Sequence, residues 1–467
     1  MTLGQAGGSA AVPLRFGRAP GSLPGVGHLP VMARRPLQLL GEAARHGDLV
    51  EIRLGRRPVH LVCHPRLVRA VLTDDRLFDR DGPLYERSRA ALGNGLATCP
   101  YADHRRQRRL LQPAFRADHM ERYAAAMRRT IGEATHSWQS GGTVDLMASL
   151  FALSATTTVR ALFGAGLDPS DQRELQHCLD VFLRGVYWRA LLPWAARLPT
   201  GGNRRYAAAI TRWREHADRL LRDRRAVVQQ LAGDGSPGAA HNALDHLLTA
   251  RSADGSPLAD AEIHEQATTL VLAGAETTAA ALGWAFHLVA GHPGIDARLH
   301  AEARSVLGER TAGPEDLPRL PFTRQVVTET LRLCPPAWVI PRTTTRETTL
   351  AGRHLPAGST LVFSPYVVHR RADLYAEPLA FAPDRWAADR EAHEREVAAR
   401  TVAGEFVPFG LGAHRCVGEA FALTEAVLTL ASVLARWRPT AVPGTQAGPA
   451  ARSVLAPRSL PMRLLAR

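Results

Sequence analysis

Near its C-terminal end the chain reads PFGLGAHRCVGEAF, from Pro408 to Phe421. Cys416 sits where a glycine-rich loop runs into an apolar helical stretch. Three chemistries compete for its sulfur. A nucleophilic thiol at a helix N-terminus would use the macrodipole to lower its pKa. A phosphatase would want an arginine six residues on, where Ala422 stands, and the surroundings of a papain-like cysteine are absent. A buried structural thiol is the plain alternative, since free cysteine is among the most buried residue types. A thiolate ligand to haem iron accounts for the neighbours as well. Gly410, Gly412 and Gly418 let backbone turn tightly against a flat cofactor. Loop N–H groups would hold the sulfur as thiolate. Phe409 would pack on the sulfur side of the ring, and His414 would reach a propionate. Five fixed residues in ten positions (Phe409, Gly412, His414, Cys416, Gly418) make a specific signal.

The elements around this loop read mostly as helix. Apolar residues recur at helical spacing over 118–137, 204–231 and 262–291, the last with few charges at its centre. Strand signals flank turns at 51–63, with Arg56-Arg57 expected in the turn, and again at 348–365. Polar connectors at 233–241 and 439–451 are too short to demand separate domains. Residues 1–20 read as a flexible Gly/Pro-rich lead-in, with no apolar run of signal or spanning length.

Composition narrows the function. The 467 residues carry a net charge of +14, and all 58 basic residues are arginine, with no lysine. That pattern reads as coding bias, and it excludes little beyond making an acidic protein partner easier to dock than a basic one. No nucleic-acid role is inferred. The five cysteines (Cys63, Cys99, Cys178, Cys334, Cys416) lie far apart without CxxC pairs, which argues against zinc and disulfides and suits a reducing cytoplasm.

On the cysteine loop the chain resembles the cytochrome P-450 family of haem-thiolate monooxygenases, and other family motifs follow in order. The resemblance covers nearly the whole chain, residues 21–467, and implies one triangular, mainly α domain with a small β region. It implies haem b between the long helix and the cysteine loop, with Cys416 as axial ligand. Ala273-Gly274-Ala275-Glu276-Thr277-Thr278 matches the segment where small residues leave room for dioxygen and loosen the helix. There an acid and a hydroxyl, Glu276 and Thr277, manage protons. Glu329 and Arg332, three apart on one helix face, match a buried charge network completed by Arg385 of Pro383-Asp384-Arg385-Trp386. His104 and Arg108, with Arg342 downstream, match partners of the haem propionates.

The same resemblance implies insertion of one oxygen atom of O2 into a hydrophobic small molecule. No dinucleotide fingerprint or flavin or iron–sulfur set is present, so electrons are expected from a ferredoxin and its reductase. Arg105, Arg106, Arg109 and Arg415 are candidates for docking it. Substrate contacts are expected from 81–101, from 179–199, and from Leu272, Trp338, Val339 and Ile340. Stretches such as PPAWVIPRTTTRE are similar to actinobacterial enzymes that oxidise sesquiterpenes, which points to a terpenoid of secondary metabolism. An isomerase, dehydratase or peroxygenase would share the cysteine loop, as would a haem sensor. The Glu276–Thr277 pair argues against the peroxygenase.

Overall fold

The computed structural model describes residues 13–467 apart from 165–172, parts of 175–194, 234–241, 253–254 and 446. The expected helices are present, at Ala117–His136, Gly201–Gly233 and Asp260–Ala290. The last, here the central helix, is buried along most of its length. It packs most closely on the helix Leu146–Phe163. These two helices are long and apolar enough to cross a membrane, but two-thirds of the most apolar window of each is buried inside the protein. They form its core.

The β part is a six-stranded sheet built from both ends of the chain. Its strands are β1 (Phe16–Arg18), β2 (Leu49–Leu54), β3 (Arg57–Val62), β4 (Phe78–Asp79), β6 (Ile340–Thr344) and β9 (Thr360–Phe363), in the order β1-β2-β3-β9-β6-β4. The strand β5 (Thr143–Asp145) belongs elsewhere, and β7 (Thr348–Leu350) with β8 (Arg353–Leu355) forms a separate hairpin. A C-terminal sheet orders β10 (Trp437–Ala441), β13 (Pro461–Ala466) and β5, while β11 (Pro449–Ala451) pairs with β12 (Leu455–Pro457).

Two expectations shift. The turn between β2 and β3 is Gly55-Arg56, because Leu54 pairs with Arg57 and closes a two-residue loop. Gly55 supplies the positive φ that this loop needs. The lead-in, expected to be flexible to residue 20, becomes regular earlier. Phe16–Arg18 lies parallel to Leu49–Glu51 and adds an edge to the sheet.

Beneath the cysteine loop lies the helix Pro321–Leu333, buried on nearly every side. Glu329 and Arg332 on it are both 0% exposed. The helix that follows Cys416, Glu419–Arg436, is likewise apolar and buried over its last three turns. Together with the central helix these elements frame an interior space.

Candidate active site

The cysteine loop is set by backbone geometry. Gly410 and Gly412 both have φ of +74°, in the left-handed region, and a side chain on Gly412 would run into the Leu72 carbonyl. The Cys416 N–H donates to the Phe409 carbonyl at 2.8 Å and closes the loop. Cys416 alone of the five cysteines is exposed, while the other four are buried. Its sulfur opens into an internal cavity of about 290 Å³. Enclosure pushes this thiol up, opposed by the Gly418 N–H and by Arg108 and Arg80. Burial pushes Cys63 up to about 12, and Cys99 and Cys334 to about 11, so those thiols stay inert.

Leu270, Ala273, Gly274, Thr277 and Thr278 of the central helix line the same cavity, with Phe409, Gly410 and Gly418 of the loop and Ile340 of β6. Thr277 Oγ1 donates to the Ala273 carbonyl at 2.6 Å, one turn back. Glu276 turns elsewhere, and its Oε1 accepts from Ser453 Oγ at 2.5 Å. The central helix runs unbroken through this segment, so the expected loosening at Gly274 is not seen. Gly274 instead permits close helix packing: a Cβ there would lie 2.5 Å from Thr158 Oγ1.

The rim of the cavity is strongly cationic. His104, Arg108, Arg342 and His414 meet there, and Arg80 joins them. Arg108 donates to the carbonyls of Ala413, at 3.3 Å, and of Arg415. Arg80 donates to those of Leu96 and His414, each at 3.2 Å. Arg342 is 2% exposed, and burial lowers its pKa to about 10. The His104 and His414 rings stand 3.8 Å apart. Burial, then Arg80, Arg108 and Arg342, lower His104 to about 4 and depress His414 further.

Three guanidiniums and two imidazoles thus converge without an ion-paired carboxylate among the described residues. Both ring nitrogens of His414 and the Nε of Arg80 are buried without a hydrogen-bond partner. Such a cluster is costly unless an anion enters it. The two propionates of haem b would supply that anion, and a slot between a cysteine sulfur and an apolar helix face suits the flat ring. The residues present fit the cofactor.

The network below the loop is complete. Arg332 grips Glu329 through two contacts of 2.8 Å, and Arg385 Nε reaches Glu329 Oε1 at 3.0 Å. The other Arg332 donors go to the carbonyls of His369, Pro378 and Ala380, so all five N–H groups are used. Glu329 also accepts from the Ala382 N–H and the Trp386 indole N–H. His369 extends the network to the loop: its Nε2 accepts from the Val407 N–H at 2.9 Å, and its Nδ1 faces the Arg332 carbonyl.

Not every expected residue meets the site. Trp338 is 1% exposed and does not line the cavity, because its indole N–H donates to the Arg452 carbonyl. Val339 packs on the main core, outside the residues that line the cavity. Leu272 lines a second space of about 340 Å³, with Phe182 and Trp213. The stretch 179–199 lies largely outside the described residues. Of the docking arginines, Arg106 pairs with Glu262 at 2.6 Å and Arg415 with Glu419 at 2.6 Å, leaving Arg105 and Arg109 exposed beside Gly412 and Ala413. The sequence reading missed Arg80, Trp386 and His369. Trp386 alone had a visible signal, standing next to Arg385.

A family model for cytochrome P450 matches residues 18–463. The chain belongs to the cytochrome P450 family. It is a monooxygenase that carries haem b and uses O2 and a redox partner on a hydrophobic substrate. It is similar to the cyclooctatin synthase of Streptomyces melanosporofaciens, 44% identical over 92% of this chain and 91% of the relative. It is 41% identical to the pentalenene oxygenase of Streptomyces avermitilis, over 97% of each chain. It is also 41% identical to a cyclooctat-9-en-7-ol 5-monooxygenase of S. melanosporofaciens, over 93% of this chain and 91% of that one.

Proposed function

We propose that this protein oxygenates a terpenoid in secondary metabolism, with Cys416 as the thiolate ligand of its haem. The observation that carries the ligand assignment is the convergence of one exposed cysteine and an unpaired cationic rim on a single cavity. Haem supplies the activation of dioxygen when bound. The chain's own residues hold and orient it. His104, Arg108, Arg342, His414 and Arg80 would take the propionates, and Phe409, Gly410 and Gly418 would pack on the sulfur side. Ala273 and Gly274 of the central helix would face the ring. Thr277 presents its hydroxyl to the cavity, held by the Ala273 carbonyl, and the Glu276 carboxyl one residue away accepts from Ser453 Oγ. Glu329, Arg332 and Arg385 fix the floor.

The substrate class rests on the relatives, named for pentalenene and for cyclooctat-9-en-7-ol. It agrees with the cavity's lining of Leu270, Ala273, Ile340 and Leu96. Ile340 is the sequence-derived residue best placed to shape substrate choice. Electrons come from a ferredoxin, and the site of action is the cytoplasm. The test is a titration of the ferric protein with cyclic terpene hydrocarbons and terpene alcohols, read by the haem spin-state shift and followed by mass analysis of products. A saturable shift and a mass gain of one oxygen are expected. Shifts only with unrelated compounds would overturn the terpenoid assignment.

A further inference from the structure

Part of the cavity wall is a short stretch of chain, 93–98, pressed onto the central helix. Leu96 and Ala97 of this stretch line the cavity. A side chain at Gly95 would have no room, since a Cβ there would lie 2.0 Å from Thr269 Oγ1 and 2.8 Å from the Glu265 carbonyl oxygen. The stretch is neither helix nor strand, so its buried backbone groups must find partners elsewhere.

Two buried glutamines supply them. Gln266 of the central helix is 0% exposed, and its Oε1 accepts from the Leu96 N–H at 3.0 Å. Gln107, on the buried side of the helix Tyr101–Leu111, donates from Nε2 to the Asn94 carbonyl at 2.6 Å. Each amide leaves its other end without a partner, Nε2 of Gln266 and Oε1 of Gln107. Burying a half-used amide is unfavourable, and a leucine would fill either place without that cost. The one bond each makes to the loop is what accounts for a glutamine there. Arg80 completes the hold, donating to the Leu96 carbonyl at 3.2 Å and the Ala97 carbonyl at 3.4 Å while it also reaches the His414 carbonyl.

Neither glutamine is among the residues that line the cavity, so both act through the loop. We propose that Gln266 and Gln107 are positioning residues for substrate selection, clamping 93–98 from two sides and so fixing where Leu96 and Ala97 stand in the wall. Without the Gln266 oxygen, the buried Leu96 N–H must turn to find another acceptor, and the Leu96 side chain turns with it. The wall then changes shape while the haem seat does not. Small ligands of the iron should not register that change, and ligands long enough to touch the wall should.

Imidazoles of increasing size test this on the haem-loaded protein, because they bind ferric iron and shift its Soret band whatever the natural substrate is. These probes rest on the haem cavity and are independent of the terpenoid reading. Imidazole itself reports the haem seat, and 4-phenylimidazole and bulkier aryl imidazoles extend further into the cavity. Gln266→Leu should leave haem content and imidazole affinity unchanged. It should change the affinity for the largest imidazole, relative to imidazole, by up to about tenfold, the weight of one buried hydrogen bond. Gln266→Glu, which keeps an oxygen for the Leu96 N–H, should bring that ratio back toward wild type. Gly95→Ala, with both glutamines intact, should move the ratio as Gln266→Leu does by forcing the loop off the helix. Gln107→Met carries the same expectation if Gln266→Leu does not fold. A ratio unchanged in both Gln266→Leu and Gly95→Ala overturns the proposal. So does a ratio that Gln266→Glu alters as much as Gln266→Leu, or a parallel loss of all imidazoles together with haem, which marks a merely structural role.

Discussion

The two faces of the cavity are built on opposite plans. Below the cysteine loop, Glu329 and Arg332 are wholly buried with their polar atoms paired, and His369 ties them to the loop's first residues. Across the cavity, the central helix leaves the Thr269 and Thr278 hydroxyls buried without partners and turns Glu276 to a distant segment. The first face is over-determined before any ligand arrives. The second keeps hydrogen-bonding capacity in reserve for groups that come and go. Rigidity belongs where one bond must hold, and unsaturated polarity where protons and substrate must move.

The comparison breaks most sharply at Glu329. Glu329→Ala leaves Arg332 buried and uncompensated, which costs about 3–5 kcal/mol. Denaturant unfolding should show that loss, together with poor haem retention. A stability within 1 kcal/mol of wild type, judged against the usual spread of surface substitutions, would mean the network is ornamental. Cys416→Ala probes the same face without that cost, because the loop is closed by the Cys416 N–H and not by its sulfur. The fold should persist, while the far-red-shifted Soret band of the reduced CO complex should vanish. A surviving band would remove Cys416 as ligand.

On the opposite face the effects should be functional. Thr277→Ala should bind haem and substrate normally yet divert reducing equivalents to peroxide, lowering product per electron by about a hundredfold, the lower end of what a positioned proton-transfer group contributes. Unchanged product per electron would take Thr277 out of proton handling. The smallest effect is expected at the outer surface. Arg105→Glu with Arg109→Glu should slow reduction by ferredoxin a few-fold. That deficit should fade as salt shortens the screening length below its roughly 8 Å at physiological ionic strength. Arg106 is the internal control, since its pairing with Glu262 makes its reversal a local structural change. Rates indifferent to charge and salt would return the arginines to composition bias.

How much of this was legible differs by region in the same way. The cysteine loop declares itself because its requirements are local: glycines at fixed offsets and one sulfur. The Glu329–Arg332 pair was legible only through its company, since the same spacing occurs elsewhere by chance. Arg80 was not legible. It reaches the His414 carbonyl across 334 residues, and nothing near it in sequence marks it. Trp338 misled because an aromatic beside the proline pair looks like a pocket wall, whereas its indole N–H found the Arg452 carbonyl. Spacing reveals which residue types share a helix face. It is silent on which way a loop side chain turns.

The mooring of Glu276 to Ser453 has a consequence for biosynthesis. A ribosome delivers a chain from its N-terminus, so Ser453 and β13, which closes the C-terminal sheet against Thr143–Asp145, emerge after the segments they join. Contacts of such long sequence separation form slowly. The tether on Glu276 is therefore a late contact, made to a helix 177 residues earlier in the chain.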